Sequence, residues 1–364
     1  MEEIIVRGAP AEYICKIGVL DKLEERLLER NIHRVLLVTG KKSWNAANSF
    51  FPTFTSIQSE HVEYGGECTL EEMNRLANFA NEFEADAIIG VGGGKVLDTV
   101  KGAAHLCNIK KVLIPTLASN CAPWTPLSVI YNEEGAMTHY EIYPSSIDLL
   151  LIEPRILVNA PVSILIAGIG DTLAKWVEAD VIISQLPAMS MPVKIAYDTA
   201  KLCADEMLMH GEAAVKAATE KEVTDNFIRV VETIIMIGGM VGGFGDQYGR
   251  IAGAHSVHNG LTIVPESHSI LHGNKVAYGI LVQLVLEGKF EDVKLYGEFY
   301  DKLGLPKRLQ DLGIAEKWVN AIAEQTVRPN ESIHLMKDSG VTAEEVASAI
   351  RTLEGAWHTP NFVE

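Results

Sequence analysis

Cysteine, cationic charge and long apolar runs are all scarce in this chain. Its five cysteines (Cys15, Cys68, Cys107, Cys121 and Cys203) are scattered, odd in number and form no C-x-x-C pair. That pattern argues against a disulfide framework and fits reduced thiols in a cytosol. Lys and Arg number 31 against 48 Asp and Glu, a formal net charge of -17. A surface so acidic is repelled by phosphate backbones and anionic bilayers, so neither nucleic acid nor a membrane is expected as a partner. The most apolar stretch, residues 234–245, has 12 residues, five of them glycine. It is too short to span a bilayer and reads as a tightly packed buried helix. The opening Met1-Glu2-Glu3 lacks the basic-then-apolar pattern of a signal peptide, so a cytoplasmic location is expected. Repeats and low-complexity segments are also lacking.

What is present is an ordinary globular composition, 48% hydrophobic and 22% charged over 364 residues. That length exceeds most single cores and suggests two domains. Up to about residue 155, short β-branched runs alternate with helical ones. Residues 35–39, 87–91, 112–115 and 149–152 read as continuous apolar strands, the mark of a parallel sheet covered on both faces. One helix is signalled by Thr69 and Glu72 as a capping box, with Leu70, Met73, Leu76, Ala80 and Phe83 on one face. After Pro154 the strand signal fades, and helical periodicity with glycine breaks takes over. A late example is Thr342-x-x-Glu345, opening a helix with Val346, Ala349, Ile350 and Leu353. The expected architecture is an α/β nucleotide-type domain over 1–158 and an all-α domain over 159–364. Ligands usually occupy the cleft between such domains.

Two regions carry chemistry. Gly90-Val91-Gly92-Gly93-Gly94-Lys95-Val96-Leu97-Asp98-Thr99 follows a strand and opens a helix. Glycines there let a backbone approach a pyrophosphate, and the helix start offers free N–H groups. The segment fits neither G-x-G-x-x-G nor Walker A, and a tight strand–helix turn would also need glycine. The next strand leads into residues 115–128, rich in small hydroxyls and prolines. That is either a ligand loop at a strand's carboxyl end or a rigid surface loop.

Downstream, Asp171, His255 and His272 offer one carboxylate and two imidazoles. Three protein ligands leave a position open, as in a catalytic divalent-metal site. Duller readings stand beside this one. Asp171 suits a helix cap, and His255 with His258 suits a hydrogen-bonded pair. His268, four residues before His272, competes as a ligand. Lys175 suits a simple ion pair with Glu178, and Cys121 a small buried apolar residue.

Taken together and in order, these segments resemble the glycerol dehydrogenase branch of the iron-containing alcohol dehydrogenase superfamily, with the dehydroquinate synthase-like two-domain fold. Within that branch the resemblance is to the bacterial hydroxycarboxylate dehydrogenase A type. It rests on Gly92-Gly93-Gly94-Lys95-x-x-Asp98-Thr99, Pro115-Thr116-x-Ala118-Ser119, Leu127-Ser128-Val129-Ile130-Tyr131, Gly168-x-Gly170-Asp171-x-Leu173-Ala174, Ala254-His255-x-x-His258-Asn259-Gly260-Leu261-Thr262 and His272-Gly273-x-Lys275-Val276-Ala277-Tyr278-Gly279. The resemblance implies a dinucleotide, NAD or NADP, contacted by Gly94, Lys95, Thr116, Ser119, Thr125, Leu127 and Tyr131. Gly92, Gly93 and Asp98 belong to the same motif. It also implies a metal, usually zinc in this branch, on Asp171, His255 and His272, and a homo-oligomer, either a dimer or a larger ring.

Three departures from the branch point to function. Where it has an acidic residue after the first strand, gripping ribose hydroxyls, this chain has Lys41 within Thr39-Gly40-Lys41-Lys42. Lysine there would attract the 2′-phosphate of NADP, although both lysines also suit a solvated loop. The loop aspartate that helps hold glycerol is Cys121, and the residue four after Asp171 is Lys175. Losing a carboxylate and gaining a cation suits an anionic small molecule such as a 2-oxo acid. The expected activity is therefore NADPH-linked reduction of 2-oxo acids to 2-hydroxy acids. Lys175 would grip the substrate carboxylate, His258 would shuttle a proton or orient the ligand shell, and Cys121 and Trp124 would shape the pocket. The competing readings are an NAD-linked glycerol or vicinal-diol dehydrogenase, a lyase resembling dehydroquinate synthase, and a non-catalytic nucleotide-binding protein.

Overall fold

Six β-strand runs pair into one all-parallel sheet. The computed structural model describes residues 3–133 and 135–357; Met1 and Glu2, which open the N-terminal reading, lie outside them. The strands are β1 (Tyr13–Cys15), β2 (Arg34–Thr39), β3 (Gln58–Glu63), β4 (Ala87–Gly92), β5 (Lys110–Pro115), β6 (Leu127–Tyr131), β7 (Met137–Ile142) and β8 (Leu149–Ile152). The sheet order is β1-β8-β5-β4-β2-β3, and β6 and β7 form a separate antiparallel pair. The four strands expected from apolar runs are β2, β4, β5 and β8. Every residue of β4 and β8 is buried, which requires cover on both faces.

From β2 the sheet grows one way, through β3, and from β4 the other way, through β5 and β8. The order reverses between β2 and β4, and such a switch point opens a crevice at the carboxyl ends of its strands. The loops after β2 and β4 are therefore adjacent, with Thr39 in register with Val91.

Among the described residues no strand follows β8. The expected helix at Thr342 is Ala343–Ala356, with the capping box formed in both directions and Val346, Ala349, Ile350 and Leu353 buried. The helix Leu70–Glu82 forms half of its box. Thr69 accepts from the Glu72 N–H, while the Glu72 carboxylate turns to the Gly65 N–H and Arg75. Leu70 departs from the expected buried face and is exposed.

The chain divides into two compact units, one comprising Arg7–Val162 with Lys216–Met240 and the other mainly Ser163–Val215 with the chain from Val241 on. The first of these runs to Val162 and takes in the segment 216–240 as well, whereas the sequence reading divides the chain once, after 158. Residues 234–245 belong to a longer helical run, Asp225–Gly249, whose length and composition alone would let it cross a membrane. Half of its most apolar window is buried inside the protein. Gly239 serves close packing, since a Cβ there would come 2.4 Å from the Trp124 ring.

Candidate metal centre

Three helices of one unit, Val162–Ile183, Gly253–Leu261 and His272–Leu286, supply Asp171, His255 and His272. Glycines beside the ligands bring these helices almost backbone to backbone. A Cβ on Gly273 would lie 1.8 Å from the Ala167 carbonyl oxygen, and one on Gly170 would lie 2.8 Å from the Gly273 oxygen. A Cβ on Gly279 would lie 2.3 Å from the Ala254 oxygen. None of these positions tolerates a side chain without the helices parting, and each neighbours a ligand in sequence or in space.

The packing brings one ligand atom from each of Asp171, His255 and His272 within 4.8 Å of the others. Asp171 Oδ1 stands 3.5 Å from His255 Nε2 and 3.2 Å from His272 Nε2. One carboxylate oxygen facing two imidazole nitrogens is a donor set suited to a borderline divalent cation. The triad therefore fits the metal that the resemblance implies. Asp171 is buried while the His272 side chain is 49% exposed, so the cluster opens on that side.

The surrounding hydrogen bonds aim these nitrogens. His255 Nδ1 lies 2.7 Å from Glu178 Oε2, which leaves Nε2 to face Asp171. The other Glu178 oxygen accepts from the Ala252 and His255 N–H groups and so caps the His255 helix. A carboxylate behind a ligating histidine fixes its tautomer and raises its basicity. Glu178 is the main site residue that sequence reasoning missed, having been considered only as a partner for Lys175. Its signal was available, because a residue seven after Asp171 returns to the same helix face two turns on. His272 is oriented from behind as well. Its Nδ1 lies 3.0 Å from His258 Nε2, and His258 Nδ1 lies 3.0 Å from Asn259 Oδ1. His258 thus stands behind His272 rather than among the three converging atoms. His268 is directed elsewhere, its Nε2 3.0 Å from the Thr262 oxygen.

Charge at the cluster follows this geometry. Burial would raise the Asp171 carboxyl, but hydrogen bonds from His255 and His272 and the nearby Lys175 hold it well below the usual range. Burial works against a charged His255, yet Glu178 and Asp171 push it up to about 9. Burial and the neighbouring His272, His255 and Lys275 hold His258 well below the usual imidazole value. A metal held here would take the place of a proton on His255, since ligating imidazoles must be deprotonated at the ligand nitrogen. Lys175, half-buried one turn from Asp171, acts on both Asp171 and His255.

The candidate nucleotide residues lie in the other unit. Gly92 ends β4, Gly93 precedes the helix Gly94–Cys107, and no side chain caps that helix start. A Cβ on Gly92 would come 2.6 Å from Val96 Cβ, and one on Gly93 2.8 Å from Leu117. Both the tight turn and an open helix terminus are therefore present. Lys95 bonds Glu67 at 2.6 Å and lies 4.4 Å over the Tyr131 ring. Thr116 is buried with its N–H on the Gly92 oxygen, while Ser119, Thr125 and Leu127 are half-buried along the following loop. Asp98 faces inward. Its carboxylate meets Lys101 at 2.7 Å and accepts from the Val129 N–H, so it braces β6. Lys41 and Lys42 are exposed at the start of the helix Lys41–Ala47, directly after β2. Cys121 is half-buried, its carbonyl accepting the Trp124 and Thr125 N–H groups. Trp124 is buried, with its indole N–H on the Gly8 oxygen.

Comparison with known proteins agrees with this arrangement. The family model described as iron-containing alcohol dehydrogenase matches residues 10–154. Hydroxycarboxylate dehydrogenase A of Escherichia coli (strain K12) is 37% identical over 349 residues, covering 95% of this chain and 96% of the relative. Glycerol dehydrogenase of Thermotoga maritima is 34% identical over 356 residues, covering 95% of each. The crystal structure of a probable glycerol dehydrogenase from Sinorhizobium meliloti 1021 superposes with a TM-score of 0.84 at 29% identity, covering 97% of this chain and 99% of that one. An α/β part with a parallel sheet, a helical part carrying a His/His/Asp cluster, and near-full-length identity above 30% lead to one assignment: the chain belongs to the iron-containing alcohol dehydrogenase family.

Proposed function

We propose that this protein is a zinc-dependent, NADPH-preferring reductase that converts small 2-oxo acids to 2-hydroxy acids. Membership of the family makes it a dehydrogenase acting on alcohol groups with NAD(P) and a divalent metal. The finer reading rests on Lys175, a cation one helical turn from Asp171 and close enough to perturb both Asp171 and His255. A small polyol offers that cation only neutral hydroxyl oxygens, whereas a substrate carboxylate offers an opposite charge. A relative at 37% identity carries the name hydroxycarboxylate dehydrogenase A, and Lys41 with Lys42 supplies positive charge where a 2′-phosphate would lie. The same reading takes in a homo-oligomer working in the cytoplasm.

Asp171, His255 and His272 would hold the ion, and Glu178 keeps His255 Nε2 turned toward it. A bound divalent metal supplies Lewis acidity to the substrate's 2-oxo oxygen, and a bound nicotinamide supplies the hydride. Lys175 orients the substrate through its carboxylate, as a point charge on a flexible stem. His258, its Nε2 3.0 Å from His272 Nδ1, orients that ligand from behind.

The test is turnover by zinc-loaded protein with NADPH or NADH, offering 2-oxobutanoate, 2-oxoglutarate and dihydroxyacetone in parallel. Oxo-acid turnover with NADPH is expected. Lys175→Ala should raise KM for the oxo acids by roughly tenfold, one lost charge-assisted contact, and leave dihydroxyacetone kinetics little changed. Several relatives are named glycerol dehydrogenase, which favours a second reading. Preferential turnover of dihydroxyacetone with NADH would establish that reading and remove the role given to Lys175.

A further inference from the structure

A fully buried lysine lies under the candidate nucleotide loop. Lys101 is 0% exposed and sits on the inner face of the helix Gly94–Cys107. Its Nζ donates to the Ala122 oxygen at 2.8 Å, the Thr125 oxygen at 3.0 Å and the Leu127 oxygen. Asp98, one turn earlier, lies 2.7 Å away and balances the charge. Asp98 also binds the far end of the same segment, through the Val129 N–H and through its own carbonyl, which accepts from Ser128 Oγ.

The sequence explains why a lysine is needed. Ala122 and Thr125 both precede prolines, Pro123 and Pro126. Proline has no N–H, so two positions of this stretch offer no backbone donor. Carbonyls left in the interior require an outside donor, since each unsatisfied one is costly. Three N–H groups on one atom meet three carbonyl oxygens. A buried charge must be both paired and hydrogen-bonded, and Lys101 is both.

The helix that carries Lys101 also carries the glycine turn. Its first residue, Gly94, would place a Cβ 3.5 Å from Asn120 and 3.6 Å from Ala122. The loop therefore abuts the uncapped helix start at one end and is fixed to the same helix by Lys101 further along. We propose that Lys101, with Asp98 as its counter-ion, is a positioning residue for dinucleotide binding that sets residues 120–127 against the start of the Gly94–Cys107 helix. This rests on the reading of that turn as the dinucleotide site. Lys101 touches no cofactor; it acts by placing Thr125 and Leu127.

The test compares wild type, Lys101→Met and the charge-balanced pair Asp98→Asn/Lys101→Met, all zinc-loaded. Three quantities are measured: dinucleotide dissociation constant by titration, zinc content, and thermal unfolding midpoint. The expected result is a folded protein with full zinc content and a dissociation constant raised roughly tenfold to a hundredfold, the effect of a binding group displaced by about 1 Å. The balanced pair should recover the part of the thermal stability lost through the unpaired Asp98 charge but not dinucleotide affinity, which a merely structural lysine would not do. Wild-type affinity in a folded variant overturns the proposal, as does recovery of affinity in the balanced pair. Loss of the fold in both variants also overturns it and makes Lys101 a stability residue. Failure of wild type to bind any dinucleotide sinks the underlying site as well, and so is distinguishable from failure of the Lys101 proposal alone.

Discussion

The metal triad and the glycine turn are assembled by opposite means. Asp171 and His272 are 101 residues apart in sequence and meet only because helices approach through Gly170 and Gly273. Each of their polar atoms is a side-chain atom, aimed by another side chain such as Glu178 or His258. The turn after β4 is local and made of backbone, with glycines removing obstacles and a helix start offering N–H groups. A site built from side chains fails when one group is exchanged. A site built from backbone fails only when its geometry moves. Substitutions that change chemistry but not shape should therefore damage the helical unit selectively.

The largest effect belongs to Asp171→Asn, which keeps the shape and removes the charge. Zinc content by elemental analysis should drop from stoichiometric to near background. Activity should fall on the order of a thousandfold, given that a Lewis-acid metal contributes several kcal/mol. Retained zinc would remove Asp171 from the ligand set. Next is Gly273→Ala, which changes shape and leaves all charge in place. Its Cβ would meet the Ala167 oxygen at 1.8 Å, so the two helices must separate, at about 3 kcal/mol or more in denaturant unfolding. Gly355→Ala is the control. A Cβ there meets nothing within 4 Å in the helix Ala343–Ala356, and about 0.5–1 kcal/mol of stabilisation is expected. Equal unfolding midpoints for the two variants would refute the close-packing account.

Glu178→Gln is subtler. The amide oxygen still accepts the Ala252 and His255 N–H groups, but its NH2 cannot accept from His255 Nδ1. Zinc affinity by chelator competition should fall about ten- to a hundredfold, the usual effect of losing such a support. Unchanged affinity would mean that Glu178 serves only to cap the His255 helix.

Much of this was legible in the sequence, for identifiable reasons. β2, β4, β5 and β8 were visible because they are continuous apolar runs buried on both faces. β3 was not, because Gln58–Glu63 is a mostly exposed edge strand with a polar sequence. β1 has three residues, too few for any period to show. The triad could be named from residue types and an ordered resemblance, whereas Glu178 needed knowledge of which histidine lies behind which carboxylate. Lys101 was hidden for a stronger reason. A lysine in a helix ordinarily reads as solvated, and only the fold shows carbonyls from the Ala122–Leu127 loop converging on it.

The smallest effect tests the α/β unit by charge alone. Lys41 and Lys42 are exposed beyond the end of β2, at the switch point of the sheet and beside the strand that leads into the glycine turn. Exposed charges act through water and are screened over about 8–10 Å at physiological salt, so their pull on a 2′-phosphate is modest. Lys41→Asp reverses the sign without touching the core. The ratio of kcat/KM with NADPH to that with NADH should fall by roughly tenfold at low ionic strength, about 1.4 kcal/mol of lost differential attraction. Adding salt should shrink the difference between wild type and variant, because screening weakens attraction and repulsion alike. A ratio unchanged by the substitution would mean that both lysines are solvated surface charges. A ratio that changes but ignores salt would point to a direct contact rather than a field. Zinc content should stay the same in either case, because the triad depends on the helical unit's side chains and not on this loop.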